Sequence, residues 1–223
     1  MRTWSERLAA VSALAEPVRR SLFDLVARST TPVTRDTAAE ELGLARSTAA
    51  FHLERLAEEG LVDVEFQRLT GRTGPGSGRP AKVYRQVDHE VGVSVPDRRY
   101  DLAGELLATA VEESAATDVP VREVLMRLAR EEGRALGAAT GSLSGVLAEC
   151  GFEPRVDSDG GVQLTNCPFH RLAQRHPGTV CGLNVELLRG AAEAADEPAD
   201  PRDVVLDPAP GRCCVRILAA ARP

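Results

Sequence analysis

Five cysteines stand at positions 150, 167, 181, 213 and 214, and no two of them are spaced as Cys-x-x-Cys. Their chemistry depends on what brings them together. An iron-sulfur cluster requires several convergent thiolates. Structural zinc is usually built from closely spaced cysteine pairs, which this chain lacks, although scattered ligands also serve. Cys167 precedes Pro168, a dipeptide that admits heme ligation, and thiol-disulfide sensing between distant cysteines is a further use. Cys213 and Cys214 are adjacent and cannot close a disulfide with each other without strain. The bland alternative is that all five are small buried hydrophobes. An odd number of cysteines without regular spacing favours metal, cluster or redox chemistry over structural cross-links in a reducing compartment.

The second chemistry is basic. The stretch Phe66 to Arg85 carries Arg68, Arg72, Arg79, Lys82 and Arg85 with no acid among them, a place where phosphates can be met. The net charge of the whole chain is -6, but it is unevenly spread. Residues 1–88 hold 13 basic and 12 acidic side chains, against 14 and 21 beyond them. The acidity therefore belongs to the second part of the chain. Lys82 is the only lysine, so arginine elsewhere reflects a global bias rather than selection for bidentate contacts.

Several classes are disfavoured. No stretch approaches the roughly 20 apolar residues of a membrane helix, and the first residues lack a secretory apolar core, so a cytoplasmic protein is expected. No Ser/His/Asp set, HExxH pattern or phosphate-cradling turn before a helix is recognisable. A thiol oxidoreductase using Cys213 and Cys214 is the residual enzyme reading, and a non-enzyme is expected.

The elements that must position these groups are given by periodicity. Leu8, Val11, Leu14 and Ala15 recur at helical spacing, and Glu16-Pro17 restarts a helix with Val18, Leu22, Leu25 and Val26 inward. This predicts two short helices or one kinked one. Thr34 caps the next helix, whose small apolar face is Ala38, Ala39 and Leu42, and Gly43 ends it. In the helix after Leu44, the stripe Ala49, Leu53, Leu56 turns Ser47, Phe51, Glu54 and Arg55 the other way. Val62 to Phe66 and Ala81 to Val87 read as the strands of a hairpin around a Gly/Pro/Ser loop over 71–80. Two helices set to cross closely and followed by such a hairpin form a winged helix-turn-helix, whose second helix offers its amino-terminal half to the major groove. Arg46, Ser47, Thr48, Phe51 and Arg55 are the candidate DNA-reading residues, with Phe51 suited to a thymine methyl. Arg72, Arg79 and Lys82 are the candidate phosphate contacts of the wing. His52, on the flank of the apolar stripe, reads as a structural histidine.

Beyond an extended stretch at 91–96, helices are predicted over 99–116 and 121–136, serving as a dimerisation segment or packing on the carboxy-terminal part of the chain. That last part reads as α+β. A hairpin turns through Asp157-Ser158-Asp159-Gly160, helices cover 169–175 and 179–195, and a final strand covers 213–218. Strand alternation there would aim one of Cys213 and Cys214 at Cys167 and Cys181 and turn its neighbour away. His170 and His176 read as surface or capping residues.

Two resemblances sharpen this reading. Leu44 to Leu56 with Glu59-Gly60-Leu61-Val62 resembles the recognition helix of the ArsR-type winged-helix regulators, and Ala15 to Arg20 resembles that superfamily's opening helix. Asn166-Cys167, Cys181 after thirteen further residues, and Arg212-Cys213 leading into Val215-Arg216-Ile217 resemble the SufR-like iron-sulfur repressors. That resemblance implies a homodimeric repressor on double-stranded operator DNA, carrying a 4Fe-4S cluster through Cys167, Cys181 and Cys213. It also implies that cluster loss weakens DNA binding. The chain departs from some members in having no cysteine over 191–211, which leaves the fourth ligand open among Cys214, Cys150, His170 and an exogenous group. The expected architecture is α+β: a winged helix-turn-helix domain over 1–90, a helical linker or dimerisation segment over 97–140, and a cysteine-containing sensor domain over 141–223.

Overall fold

The protein is described by a computed structural model at residues 2–68, 80–196, 200, 203–209 and 211–219. The chain divides into two units, Met1–Val93 and Ser94–Pro223.

In the first unit, helix α1 (Trp4–Ala13) opens on a capping box. The Thr3 hydroxyl accepts from the Glu6 amide, and the Glu6 carboxylate accepts from the Thr3 amide at 2.7 Å. Helix α2 (Pro17–Arg28) begins with proline in its first turn, where the missing N–H costs nothing, and the Glu16 carboxylate accepts from the Val18 and Arg19 amides. That cap separates α2 from α1, so the opening segment is two helices rather than one kinked helix. Strand β1 (Val33–Thr34) leads into helix α3 (Arg35–Leu42), with Thr34 Oγ1 capping the Thr37 amide at 3.0 Å. Gly43 at φ 62° ends α3 in a left-handed conformation that a side chain would strain. Helix α4 (Arg46–Glu58) comes next, then the antiparallel strands β2 (Val62–Gln67) and β3 (Ala81–Gln86). Strand β3 lies between β1 and β2. Ala38 and Ala49 are fully buried, as a close crossing of α3 and α4 requires, and Leu22, Val26, Leu53, Leu56 and Tyr84 fill the core.

The second unit contains helices α5 (Tyr100–Thr117), α6 (Val121–Thr140), α7 (Leu143–Glu149), α8 (His170–Arg175) and α9 (Pro177–Ala194). Strands β4 (Pro154–Val156), β5 (Val162–Leu164), β6 (Val204–Leu206) and β7 (Val215–Ile217) form an antiparallel sheet in the order β4-β5-β7-β6. Strand β6 was not apparent from the sequence. Arg216 on β7 holds Asp157 at 2.7 Å and Asp159 at 2.6 Å, fixing the β4–β5 turn.

Helix α9 is buried on most of its circumference, and α6 lies against it at backbone distance. A Cβ at Gly133 would stand 1.9 Å from the Leu187 carbonyl oxygen, and one at Gly190 would stand 2.0 Å from that of Arg130. At the rim of this crossing, Arg134 pairs with Glu193 at 2.8 Å and Arg130 pairs with Glu186 and Glu193. The segment 97–140 is therefore not a separate linker. Its Ala103, Leu106, Ala110, Val124, Leu125, Ala129 and Leu136 share one core with Phe152, Leu164, Leu187 and Val215. The glycines explain the difference, since they permit a helix-helix contact that apolar periodicity alone does not reveal. With mainly helical content and two small antiparallel sheets, the chain is α+β.

Candidate functional site

Helix α4 buries Ala49, Leu53 and Leu56 and turns the opposite face outward. Ser47 and Arg55 are exposed, Thr48 is half-buried, and Phe51 is 64% exposed. A large aromatic side chain left mostly in water on a helix whose other face is fully packed is poorly explained by folding. No side chain caps the α4 amino terminus, where the first amides carry the positive end of the helix dipole.

The charged residues on this face already have partners. Arg46 pairs with Asp36, with a second contact at 3.0 Å, and Arg55 pairs with Glu58 at 3.0 Å and Glu59 at 2.7 Å. The Arg46–Asp36 and Arg55–Glu58 pairs are exposed on both sides and worth roughly 0–1 kcal/mol each, so phosphate can displace them at little cost. Lys82 is placed differently from the expectation of a simple phosphate contact. It pairs with Glu54 of α4 and lies 5.7 Å from the centre of the Tyr84 ring, while Tyr84 Oη donates to Glu54 at 3.0 Å. Glu54 therefore ties α4 to strand β3. The Lys82 hydrogen bond holds its carboxyl below the ordinary 4.5, and burial raises the Tyr84 hydroxyl. Sequence reading missed this triad because its members are 28 and 30 residues apart.

His52 lies off the reading face. Its Nδ1 is 3.6 Å from the Glu16 carboxylate, which itself caps α2. Arg72 and Arg79 lie outside the described residues.

In the second unit four of the five cysteines are brought together from three stretches of chain. Cys167 lies in the loop after β5, Cys181 in α9, and Cys213 and Cys214 just before β7. Backbone bonds set their places. The Cys213 amide donates to the Leu164 carbonyl at 2.7 Å, and the His170 amide donates to that of Cys167 at 3.1 Å. The thiols then form a chain of contacts, Cys167 to Cys213, Cys213 to Cys214, and Cys214 to Cys181. Cys213 and Cys214 both face the site. Strict alternation fails because β7 begins only at Val215, so the two cysteines are not in strand geometry.

Cys213 lies between Cys167 and Cys214 in this row, with Asn184 beside it. Hydrogen bonds from Cys167 and Cys214, with further donors at the Val215 amide and Asn184, favour its thiolate and hold it below an ordinary thiol. Cys167 and Cys214 are pushed up, first by donating to Cys213 and then by burial. Burial raises Cys181. Cys150 is held up at about 12 by burial, and the charged groups that act on it are Arg99, Glu149, Glu132 and Asp101, none of them a cysteine. His170 is exposed at the start of α8. Of the candidate fourth ligands, Cys214 is thus the one in contact with the other cysteines.

Among the described residues, no three His, Cys, Asp or Glu side chains are disposed around a single metal ion. Protonated thiols donate to one another, whereas the thiolates of a cubane cluster are shared out one per iron. The donor chemistry suits such a cluster: four cysteine sulfurs, with amide donors from Phe169 to Cys167 and from Val215 to Cys213 of the kind that stabilise ligated thiolates.

The same loop reaches the start of the unit. Asn166 Nδ2 donates to the Asp97 carbonyl at 3.2 Å and to that of Gly151 at 2.6 Å, and Arg98 donates to Asn166 Oδ1. The Arg99 amide donates to the Pro168 carbonyl at 3.1 Å. Residues 97–99, only a few positions beyond Val93, are thereby fastened on both sides of Cys167.

Residues 14–65 match a helix-turn-helix domain family, a span that takes in α2, α3, α4 and the start of β2. No curated protein and no solved structure matches the chain. The match supports a DNA-binding transcriptional regulator of winged helix-turn-helix type. Among the described residues no helix is long and apolar enough to cross a membrane.

Proposed function

We propose that this DNA-binding regulator is a cytoplasmic, homodimeric repressor whose grip on double-stranded operator DNA is set by a 4Fe-4S cluster at Cys167, Cys181, Cys213 and Cys214. The observation that carries the reading is that Cys167, Cys213, Cys214 and Cys181, drawn from three stretches of chain, meet in one row of contacts, with the buried Asn184 amide on Cys213 Sγ at 3.3 Å. When bound, such a cluster supplies an oxidant-sensitive, redox-active group fixed by thiolates.

On the DNA side, Ser47, Thr48 and Phe51 meet base edges, while Arg46 and Arg55 exchange their acidic partners for phosphate. Arg72 and Arg79 of the wing add phosphate contacts. A single winged helix reads a short site, so a two-fold pair on a palindrome supplies the discrimination a regulator needs.

The coupling runs through the chain's own residues. Asn166 and Pro168 flank Cys167 and hold residues 97 and 99, so the Cys167 loop and the entry to the second unit move together or not at all. A loop that shifts when its cysteine loses its ligand changes the hold on that entry. The expected coupling is about 2.8 kcal/mol, a hundredfold in DNA affinity.

The test is elemental analysis of protein purified without oxygen. About four irons and four acid-labile sulfides per chain are expected for a thiolate-bound cubane. Zinc alone would make the site a metalloregulator. Neither metal would favour a thiol switch, for which the contact of Cys213 with Cys167 is the observation in hand.

A further inference from the structure

Asn184 is the one fully buried polar side chain of α9, three residues beyond Cys181. Its helical neighbours Leu183, Leu187 and Leu188 are apolar and equally buried. Asn184 Nδ2 donates to Cys213 Sγ at 3.3 Å, while Oδ1 is buried without a hydrogen-bond partner. A half-satisfied buried amide is a cost to folding, whereas an apolar side chain at this position would carry no polar atom to satisfy. Packing does not explain an asparagine here. Its N–H aimed at a sulfur does.

We infer that Asn184 is a tuning residue for the thiol site, raising the reduction potential of an iron-sulfur group held there through its N–H···S hydrogen bond to Cys213. The inference rests on the cluster reading proposed for that site. With a cluster held there, reduction would take one electron from an external low-potential reductant and would place added negative charge on the ligand sulfurs. A hydrogen bond to one of those sulfurs is stronger in the more negative state and so favours reduction. The amides of Phe169 and Val215 also donate to sulfur, but as backbone they survive any side-chain change. Asn184 is the donor that substitution removes.

The experiment is a mediated redox titration of the full-length protein, reconstituted without oxygen from ferrous iron and sulfide. Asn184→Leu and Asn184→Ala are compared with the parent chain. Both variants are expected to lower the reduced-to-oxidised ratio at the parent's midpoint about tenfold, a shift of about 59 mV for one electron. Asn184→Ser, which restores a hydroxyl donor, should recover part of the shift. Across Asn184→Leu and Asn184→Ala the midpoint shift should not follow the unfolding temperature of the metal-free proteins, whereas a purely structural asparagine would move only that temperature. If Asn184→Leu loses the cluster, Asn184→Ala carries the comparison. Midpoints equal to the parent's in the variants that hold parental iron and sulfide overturn the tuning role. A parent chain that takes up no iron and sulfide overturns the cluster reading itself, before any variant is compared.

Discussion

The exposed face of α4 and the thiol site of the second unit are built in opposite ways. On α4 the candidate DNA-contacting groups stand in water. Phe51 is mostly exposed, and Arg46 and Arg55 sit in ion pairs that solvent screens. At the thiol site Cys167, Cys181 and Cys213 are buried, and Asn184 is fully so. There each donor and acceptor is costly to leave without a partner. The lesson is a separation of duties. The candidate DNA contacts stand where exchanging a partner is cheap, and the thiols stand where a lost partner is expensive.

The largest expected effect breaks the separation at its foundation. Leu53→Ala removes a fully buried side chain directly behind the reading face and should cost about 2–5 kcal/mol of stability, seen as a lower denaturation midpoint. Phe51→Ala, two residues away and exposed, should leave the denaturation midpoint within about 0.5 kcal/mol while weakening specific DNA binding by about 1–3 kcal/mol. Equal effects on stability would place Phe51 in a packing role instead. Smaller, and aimed at the connection between the two regions, is Arg98→Ala. It removes a hydrogen bond to Asn166 Oδ1 without touching a cysteine. The protein should keep its iron and sulfide but lose about half of the coupling free energy, reducing the affinity ratio between loaded and stripped forms to about tenfold. An undiminished ratio in band-shift titrations would remove residues 97–99 from the route.

The smallest effect concerns Glu54. Its carboxyl is depressed in the folded state, chiefly by the Lys82 hydrogen bond, so its stabilisation is present above the ordinary 4.5 and lost as pH falls through the folded value. Both groups are partly in water, which limits the loss to about 1 kcal/mol or less. Glu54→Gln should flatten that part of the stability profile below pH 4.5, and an unchanged profile would assign the acid slope to other carboxylates.

The features legible in the sequence were the local ones. Helix ends rest on neighbouring residues: Glu16 before Pro17, Thr34 three residues before Thr37, Gly43 at positive φ. The helix-turn-helix was therefore legible nearly residue by residue. Groupings across the chain were not. Glu54 with Lys82 and Tyr84, and Asn166 with residues 97 and 98, depend on elements meeting in space. Cys213 and Cys214 were misplaced by assuming strand geometry two residues before the strand begins. Gly133, Gly137 and Gly190 were visible, but that they face the opposite helix at backbone distance was not. Asn184 had a usable signal: an amide within an apolar helical stretch, three residues after a cysteine. A buried polar residue beside candidate ligands is a site feature until packing explains it.

If the state of the thiol site sets DNA affinity, the direct measurement compares cluster-loaded and chelator-stripped protein on one duplex, selected from a random pool by the loaded form, at one fixed salt concentration. An affinity about a hundredfold higher is expected for the loaded protein. Equal affinities, with iron and sulfide confirmed in one sample and absent from the other, would contradict the coupling.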